Sequence, residues 1–289
     1  MKRVLITGAN SYIGCSFEAY IREHYSNALS VETVDMIDGS WREKDFSVYD
    51  VVFHVAGLAH ADVGNVSEKV KKKYYAINTD LAIETAQKAK SEGVKQFVFM
   101  SSMIVYGGLE HITKDTEPQP ANFYGDSKWQ ADKGVRELQS EEFCVTVLRP
   151  PMVYGKGSKG NYPLLAKFAK KLPMFPKVTN KRSMLYIENL CEFLCLIMKE
   201  PQAGVFFPQN KELVNTSEMV KQIAAVSGHK IWGTSLLKPI VVIGMKVPGK
   251  IGGLFQKAFS DSYYDLEMSE CGMEYCVVSN ENSVKRTEV

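Results

Sequence analysis

Tyr124 and Lys128 stand four residues apart in the run FYGDSKWQ (residues 123–130). At that spacing two helical residues share one face, so a phenol and an ammonium would be neighbours. A free phenol titrates near pH ~10, too high to take a proton at neutral pH. A nearby cation favours the phenolate by Coulomb attraction, so Lys128 is expected to lower the pKa of Tyr124 and prepare it as a base. Upstream, in FMSSMIVYG, Ser102 can hold a substrate oxygen. Together the three suit hydride transfer between an alcohol and a nicotinamide. The spacing alone decides nothing, because such pairs also occur on plain surface helices.

These residues need a scaffold that brings strand ends and helix starts together. RVLITG, SVETVD, DVVFHVAG, QFVFMSS and CVTVLRP read as strands, and residues 12–24, 78–92 and 125–140 as helices. Short apolar strands separated by such helices predict an α/β fold with a Rossmann-type, doubly wound parallel sheet. Ligands in such sheets bind outside the carboxyl ends of the strands, and Ser102 leaves the sheet at such an end. The dinucleotide-binding domain is expected over residues 1–150. A smaller, partly interleaved substrate lobe follows over 151–289, with a return to the first domain near 183–215 and a helix at 186–199.

TGANSYIG (residues 7–14) closes the first strand. A strand that feeds a glycine turn into a helix aims backbone N–H groups at an anion and suits a pyrophosphate. Gly8 permits the tight turn and Gly14 permits close helix–strand packing. Asp35 ends the second strand, where a carboxylate can bind the ribose hydroxyls of an adenosine; a solvated loop acid is the competing reading. Asp45 and Phe46 follow in a position to flank an adenine. A carboxylate at Asp35 repels a 2′-phosphate, so NAD is expected over NADP, with Arg42 the nearby residue that would reverse the preference.

In order along the chain, TGANSYIG, HVAG, YYAIN, SSMIVYG, YGDSK and LRPPMVYG resemble the motif set of extended short-chain dehydrogenases/reductases. The branch resembled is that of NAD-dependent nucleotide-sugar epimerases, dehydratases and 4-keto reductases. The resemblance implies catalysis by Ser102, Tyr124 and Lys128, with Lys128 also on the nicotinamide ribose. It implies cofactor contacts from Gly8, Ser11, Tyr12, Ile13 and Gly14, and from Val55, Ala56, Gly57 and Asn78. It also implies a homodimer through the helices near 78–90 and 125–139.

NKRSMLYIENL resembles the family stretch whose arginine contacts the substrate diphosphate, which assigns Arg182; a surface salt bridge is the competing reading. Asn161 in KGNYPLLAKFAKK matches a nucleotide-contacting asparagine. The chain also departs from the family. Ser11 replaces the middle glycine, NTDLA replaces the usual Gly-Thr after Asn78, and the second phosphate arginine is missing. Met103 and Ile104 occupy the positions of the dehydratase Asp-Glu pair, which argues against dehydration. The expected function is oxidation and reduction at C4 of a UDP-sugar by a 4-epimerase. A 4-keto-sugar reductase and a non-catalytic dinucleotide sensor are the alternatives.

A net charge of +2 over 289 residues is too small to argue for a nucleic-acid partner. The six cysteines form no C-x-x-C, so neither a zinc site nor a disulfide framework is expected. The first apolar run is too short for a signal peptide and no stretch has the length of a membrane span, so the expected location is cytoplasmic. Residues 229–260 hold five lysines and no acid. A lobe helix packed over the substrate, broken at Pro239 and Pro248, is expected there; peripheral contact with an anionic membrane is the alternative.

Overall fold

The computed structural model describes residues 1–59 and 66–289. Its sheet begins with β1 (Lys2–Thr7), β2 (Leu29–Val34), β3 (Val51–His54) and β4 (Gln96–Met100). A short β5 (His111–Ile112) stands apart, and β6 (Cys144–Leu148) continues the sheet. The lobe adds β7 (Met152–Tyr154), β8 (Met174–Pro176) and β9 (Met184–Tyr186); β10 (Gly204–Phe206) rejoins the sheet. Last come β11 (Trp232–Thr234) and β12 (Tyr263–Tyr264). Six strands pair in the order β10-β6-β4-β3-β1-β2, every neighbour parallel.

Both faces of a parallel sheet are covered, so its strands are apolar throughout, and period-2 alternation sorts their side chains between two cores. Val4, Ile6, Phe53 and Val98 face Phe17 of α1 (Tyr12–Tyr20). On the other face Leu5, Val52, Phe97 and Val147 meet the alanines of α3 (Leu81–Ser91). Between these helices runs α2 (Glu68–Tyr75), which passes through a π turn, Ala76–Asp80, into α3. No sequence pattern marks α2, because EKVKKKYY buries no residue and so carries no apolar period. The order reverses between β1 and β3, which opens a crevice at their carboxyl ends, the usual ligand position in such sheets.

Further helices are α4 (Phe123–Arg136), α5 (Asn161–Lys171), α6 (Ile187–Lys199) and α7 (Thr216–Val226). They are followed by α8 (Lys238–Lys246), α9 (Lys250–Phe259) and α10 (Asn280–Glu288). α6 packs on α1, and with β10 it returns residues 187–206 to the layers of the sheet. In the lobe, β5 pairs with β12, β7 with β9 and β8 with β11. α10 is fixed from below by the Tyr154 and Ser283 hydroxyls, 2.6 Å apart.

Beneath the carboxyl edge lies a buried ion pair. Asp132 of α4, fully buried, accepts from Ser101 Oγ at 2.9 Å, Arg136 Nε at 2.9 Å and Arg149 Nε at 2.8 Å. Arg149 also donates to the Tyr106 hydroxyl at 2.7 Å. Removing one partner of such a pair leaves an uncompensated buried charge. Asp132→Ala is therefore expected to lose about 3–5 kcal/mol of stability. Urea unfolding at neutral pH measures this, and a loss below about 1 kcal/mol would show the pair to be unimportant.

Candidate active site

Gly8 sits at φ 99°, and a Cβ there would fall 2.9 Å from the Ala56 backbone. Only glycine lets the ends of β1 and β3 approach this closely. Ser11 is extended and caps α1, its hydroxyl accepting the Gly14 N–H at 3.1 Å. A Cβ on Gly14 would lie 2.6 Å from that hydroxyl and 3.3 Å from Ile6, so helix and strand touch. The backbone N–H groups of Tyr12 and Ile13 open α1 with no acceptor among the described residues. The loop thus keeps an anion-binding geometry with serine in place of the middle glycine.

Asp35 follows Val34, whose carbonyl accepts from Gly8 at 3.0 Å and Ala9 at 3.2 Å, so the carboxylate stands exposed beside the loop. One of its oxygens takes the Ile37 N–H at 2.8 Å. Arg42 is engaged elsewhere: its Nε and Nη2 donate to Glu84 at 2.5 Å, and its guanidinium lies 4.6 Å from the Trp41 ring centre. A cleft of about 440 Å³ lies here, lined by Met36, Asp38 and Arg42 on one side and Ala76, Asp80 and Glu84 on the other.

The expectation for Asp45 and Phe46 fails. Asp45 turns back onto the Ser47 N–H and hydroxyl. Phe46 is fully buried, and its N–H is taken by Glu92 at 2.6 Å, at the carboxyl end of α3. Helices antiparallel to the strands end at the amino edge of the sheet, so these two residues lie at the edge opposite Gly8. The link from β2 to β3 starts at the carboxyl edge beside Gly8 and descends to the amino edge before Asp45. At the carboxyl edge the cleft between residues 36–42 and 76–84 stays open instead, and no sequence pattern marked it.

Ser102 leaves β4 in extended conformation and caps the turn Met103–Tyr106, its oxygen accepting the Ile104 N–H at 3.3 Å. Its neighbour Ser101 is buried with its hydroxyl spent on Asp132, whereas Ser102 is half-buried. Tyr124 lies in the first turn of α4, which is capped by Asn122 through the N–H groups of Tyr124 and Gly125. A Cβ on Gly125 would fall 2.9 Å from the Ile104 carbonyl. The start of α4 therefore presses on the turn that Ser102 opens, which gathers serine, tyrosine and lysine at one strand end.

Lys128 is buried and donates to the Met100 carbonyl at 3.2 Å. Gly57 makes room for it: an added Cβ would lie 3.0 Å from Nζ and 3.1 Å from Asn78 Oδ1. Asn78, in the π turn, binds both backbone groups of Leu58 and the Ser127 hydroxyl, so its amide holds the β3 loop in place. Val55 packs near Gly14, and Ala56 sets the approach of Gly8. Under the loop, burial and the Lys128 charge push the His54 pKa down to about 3, with Thr7 Oγ1 2.8 Å from its Nδ1.

The electrostatics reverse one expectation. Burial, with a smaller contribution from Tyr74, raises the Tyr124 phenol to about 12. Burial also lowers Lys128 to about 8. The ammonium faces Met100 rather than depressing the phenol, and desolvation dominates both groups.

In the lobe, Asn161 opens α5 and Arg182 donates to the Ser260 carbonyl at 2.9 Å. Both line a cavity of about 300 Å³, together with Lys257. The sequence offered no reason to single out Lys257 from its neighbouring lysines. Neither Ser102 nor Tyr124 lines the cavity. Ser262 joins the two places: it bridges Arg182, and its hydroxyl meets the sulfur of Met103 beside Ser102 at 3.6 Å.

A dinucleotide fold that carries Ser, Tyr and Lys at its strand ends defines the class of extended short-chain dehydrogenases/reductases. Residues 4–207 match the model of the NAD dependent epimerase/dehydratase family. One relative is the N-acetyl-alpha-D-glucosaminyl-diphospho-ditrans,octacis-undecaprenol 4-epimerase of Escherichia coli O157:H7, 30% identical over 83% of this chain and 77% of its own. Another is the UDP-glucose 4-epimerase of Vibrio cholerae, 28% identical over 87% and 83%. The structure of MoeE5 in complex with UDP-glucose and NAD shares the fold at a TM-score of 0.72, with 19% identity over 99% of this chain and 97% of that one. The chain belongs to the NAD-dependent epimerase/dehydratase family, and NAD is its cofactor.

The lysine makes stability depend on pH. Its folded pKa of about 8 lies below the ordinary 10.5, so between these values the unfolded chain holds a proton that the folded chain has released. Stability therefore rises with pH across that window, by about 1.4 kcal/mol per unit for one proton. Denaturation at pH ~8 and ~10 is expected to show this gain in the wild type relative to Lys128→Met. Equal slopes in the two proteins would place the lysine at its ordinary pKa.

Proposed function

We propose that the protein interconverts the C4 epimers of a UDP-sugar. The observation that carries the reading is the meeting of Ser102, Tyr124 and Lys128 beside the Gly8 loop, where α4 presses on the Ser102 turn. The Gly8 loop and Asp35 would hold NAD, which would accept the C4 hydride and then give it back. Tyr124 would take the proton of the C4 hydroxyl and return it after the sugar has turned; burial holds its phenol at about 12, so this role requires the positive charge that bound NAD would add to that of Lys128. Ser102 Oγ holds that oxygen, while Lys128, held by Met100, keeps a cation beneath the reacting groups. Arg182, Lys257 and Asn161 hold the diphosphate as the sugar turns. The relatives from V. cholerae and E. coli are named for 4-epimerisation on different carriers, UDP and diphospho-undecaprenol. Both carriers present the same sugar diphosphate to such cations.

The reaction belongs to the cytoplasmic side, and a homodimer through α3 and α4 is part of the proposal; a single-chain mass at sedimentation equilibrium would overturn the dimer.

Tyr124→Phe is expected to lower kcat a hundredfold or more while NAD binding stays intact. Product analysis with UDP-sugars checks this, and unchanged turnover would remove Tyr124 from the mechanism. Stoichiometric consumption of NADH with a 4-keto sugar, without interconversion of epimers, would identify a reductase instead. Arg182→Ala is expected to weaken sugar-diphosphate binding by about 1.5–3 kcal/mol and leave NAD affinity unchanged. Calorimetric titration with each ligand separates the two, and equal loss for both would make Arg182 structural.

A further inference from the structure

α8 and α9 fold back on each other through Pro248 and Gly249. A Cβ on Gly244 would lie 2.4 Å from the Phe255 ring, so the two helices touch there. The hairpin lines the lobe cavity, but its outward side is apolar as well. Ile243 is 65% and Val242 48% exposed, and in the turn before α8 Leu236 is 86% exposed; none of the three lines the cavity. Lys238, Lys246 and Lys257 of the same segment are exposed, and no acidic residue lies between His229 and Ser260. Apolar side chains among lysines, without acids, match the interface of an anionic bilayer. Helices of 9 and 10 residues lie on a bilayer and do not cross it.

The cavity behind the hairpin points to what such a surface would deliver. Ile240, Ile251 and Leu254 are exposed and also line the cavity, so it opens through the apolar side of the hairpin. The buried Leu165, Phe175 and Met219 and the half-buried Phe259 form other parts of its wall. Apart from the cations Arg182 and Lys257, only Asn161 and Thr216 among the lining side chains could meet the amide groups of a uracil ring, and Thr216 already donates to the Ala258 carbonyl at 2.7 Å, whereas a hydrocarbon chain needs no partner. Arg182 and Lys257 stand at the same cavity and suit a diphosphate.

We propose that the α8–α9 hairpin seats in the interface of an anionic bilayer. The cavity behind it takes the hydrocarbon chain of a membrane-borne sugar diphosphate. The choice of substrate rests on the C4-epimerase reading; the bilayer contact stands apart from it.

Full-length protein loaded with NAD is sedimented with phosphatidylglycerol–phosphatidylcholine vesicles and with phosphatidylcholine vesicles. Binding is expected to the first and not the second, and to weaken with added salt. Leu236→Glu combined with Ile243→Glu is expected to reduce the bound fraction about tenfold and to leave turnover of a soluble UDP-sugar unchanged. Lys238→Glu with Lys246→Glu is expected to act in the same direction. Leu237→Trp, which fills the cavity, is expected to raise KM about tenfold for a prenyl-diphosphate sugar and not for its UDP counterpart. No binding to either vesicle would overturn the proposal. Lipid-independent self-association abolished by the Leu236/Ile243 change would also overturn it, because a second copy then covers the hairpin. Vesicle binding without epimerisation of either carrier would count against the epimerase reading alone.

Discussion

The carboxylate of Asp132 is the point on which the active site rests. It is wholly buried and binds Ser101 of the β4 loop, Arg149 at the end of β6 and Arg136 one turn along its own helix. Those contacts lock α4 to two strand ends, and α4 carries both Tyr124 and Lys128. A buried charge tolerates few alternative arrangements because each misplaced donor leaves it unsolvated. The precision needed by a proton-transfer group is thus supplied from beneath, by residues that touch no substrate.

On this base the site is divided between two kinds of surface. The carboxyl edge of the sheet is polar and built from backbone: Gly8 and Ser11 shape the loop, and Gly57 yields its side-chain volume to the lysine. The lobe contributes side-chain cations on an otherwise apolar wall. The strand pair β5–β12 and the segment around Ser262 join the two, tying the Arg182 wall to the turn that Ser102 opens.

Much of this was legible in the sequence, because strand ends and glycine turns leave local marks. The parallel sheet, the glycine turn at Gly8 and the serine–tyrosine–lysine cluster all follow from short motifs. What escaped is non-local. α2 carries no buried residue, so no period announces it. Asp45 and Phe46 resemble an adenine-flanking pair in type and order, yet the link from β2 to β3 has carried the chain down to the amino edge before it reaches them. Lys128 does not lower the phenol, because burial is a property of the assembled fold and outweighs the charge that helical spacing suggested. Lys257 reaches Arg182 only through the folding of the α8–α9 hairpin over the lobe.

The short link between β2 and β3 has another consequence. It leaves β2 with a single neighbour, β1, and so with one row of backbone donors and acceptors facing outward. Such a row is a template on which a foreign strand can grow. Here Glu32, in the middle of β2, is bound by Lys44 and by the Tyr49 hydroxyl, both from the link itself. A strand laid along this edge would have to displace the link and strip water from a carboxylate and an ammonium at once. The opposite border needs no such guard, because β10 is three residues long and offers little to copy. The link that leaves β2 at the border of the sheet thus also supplies the charged fringe that protects its open side from aggregation.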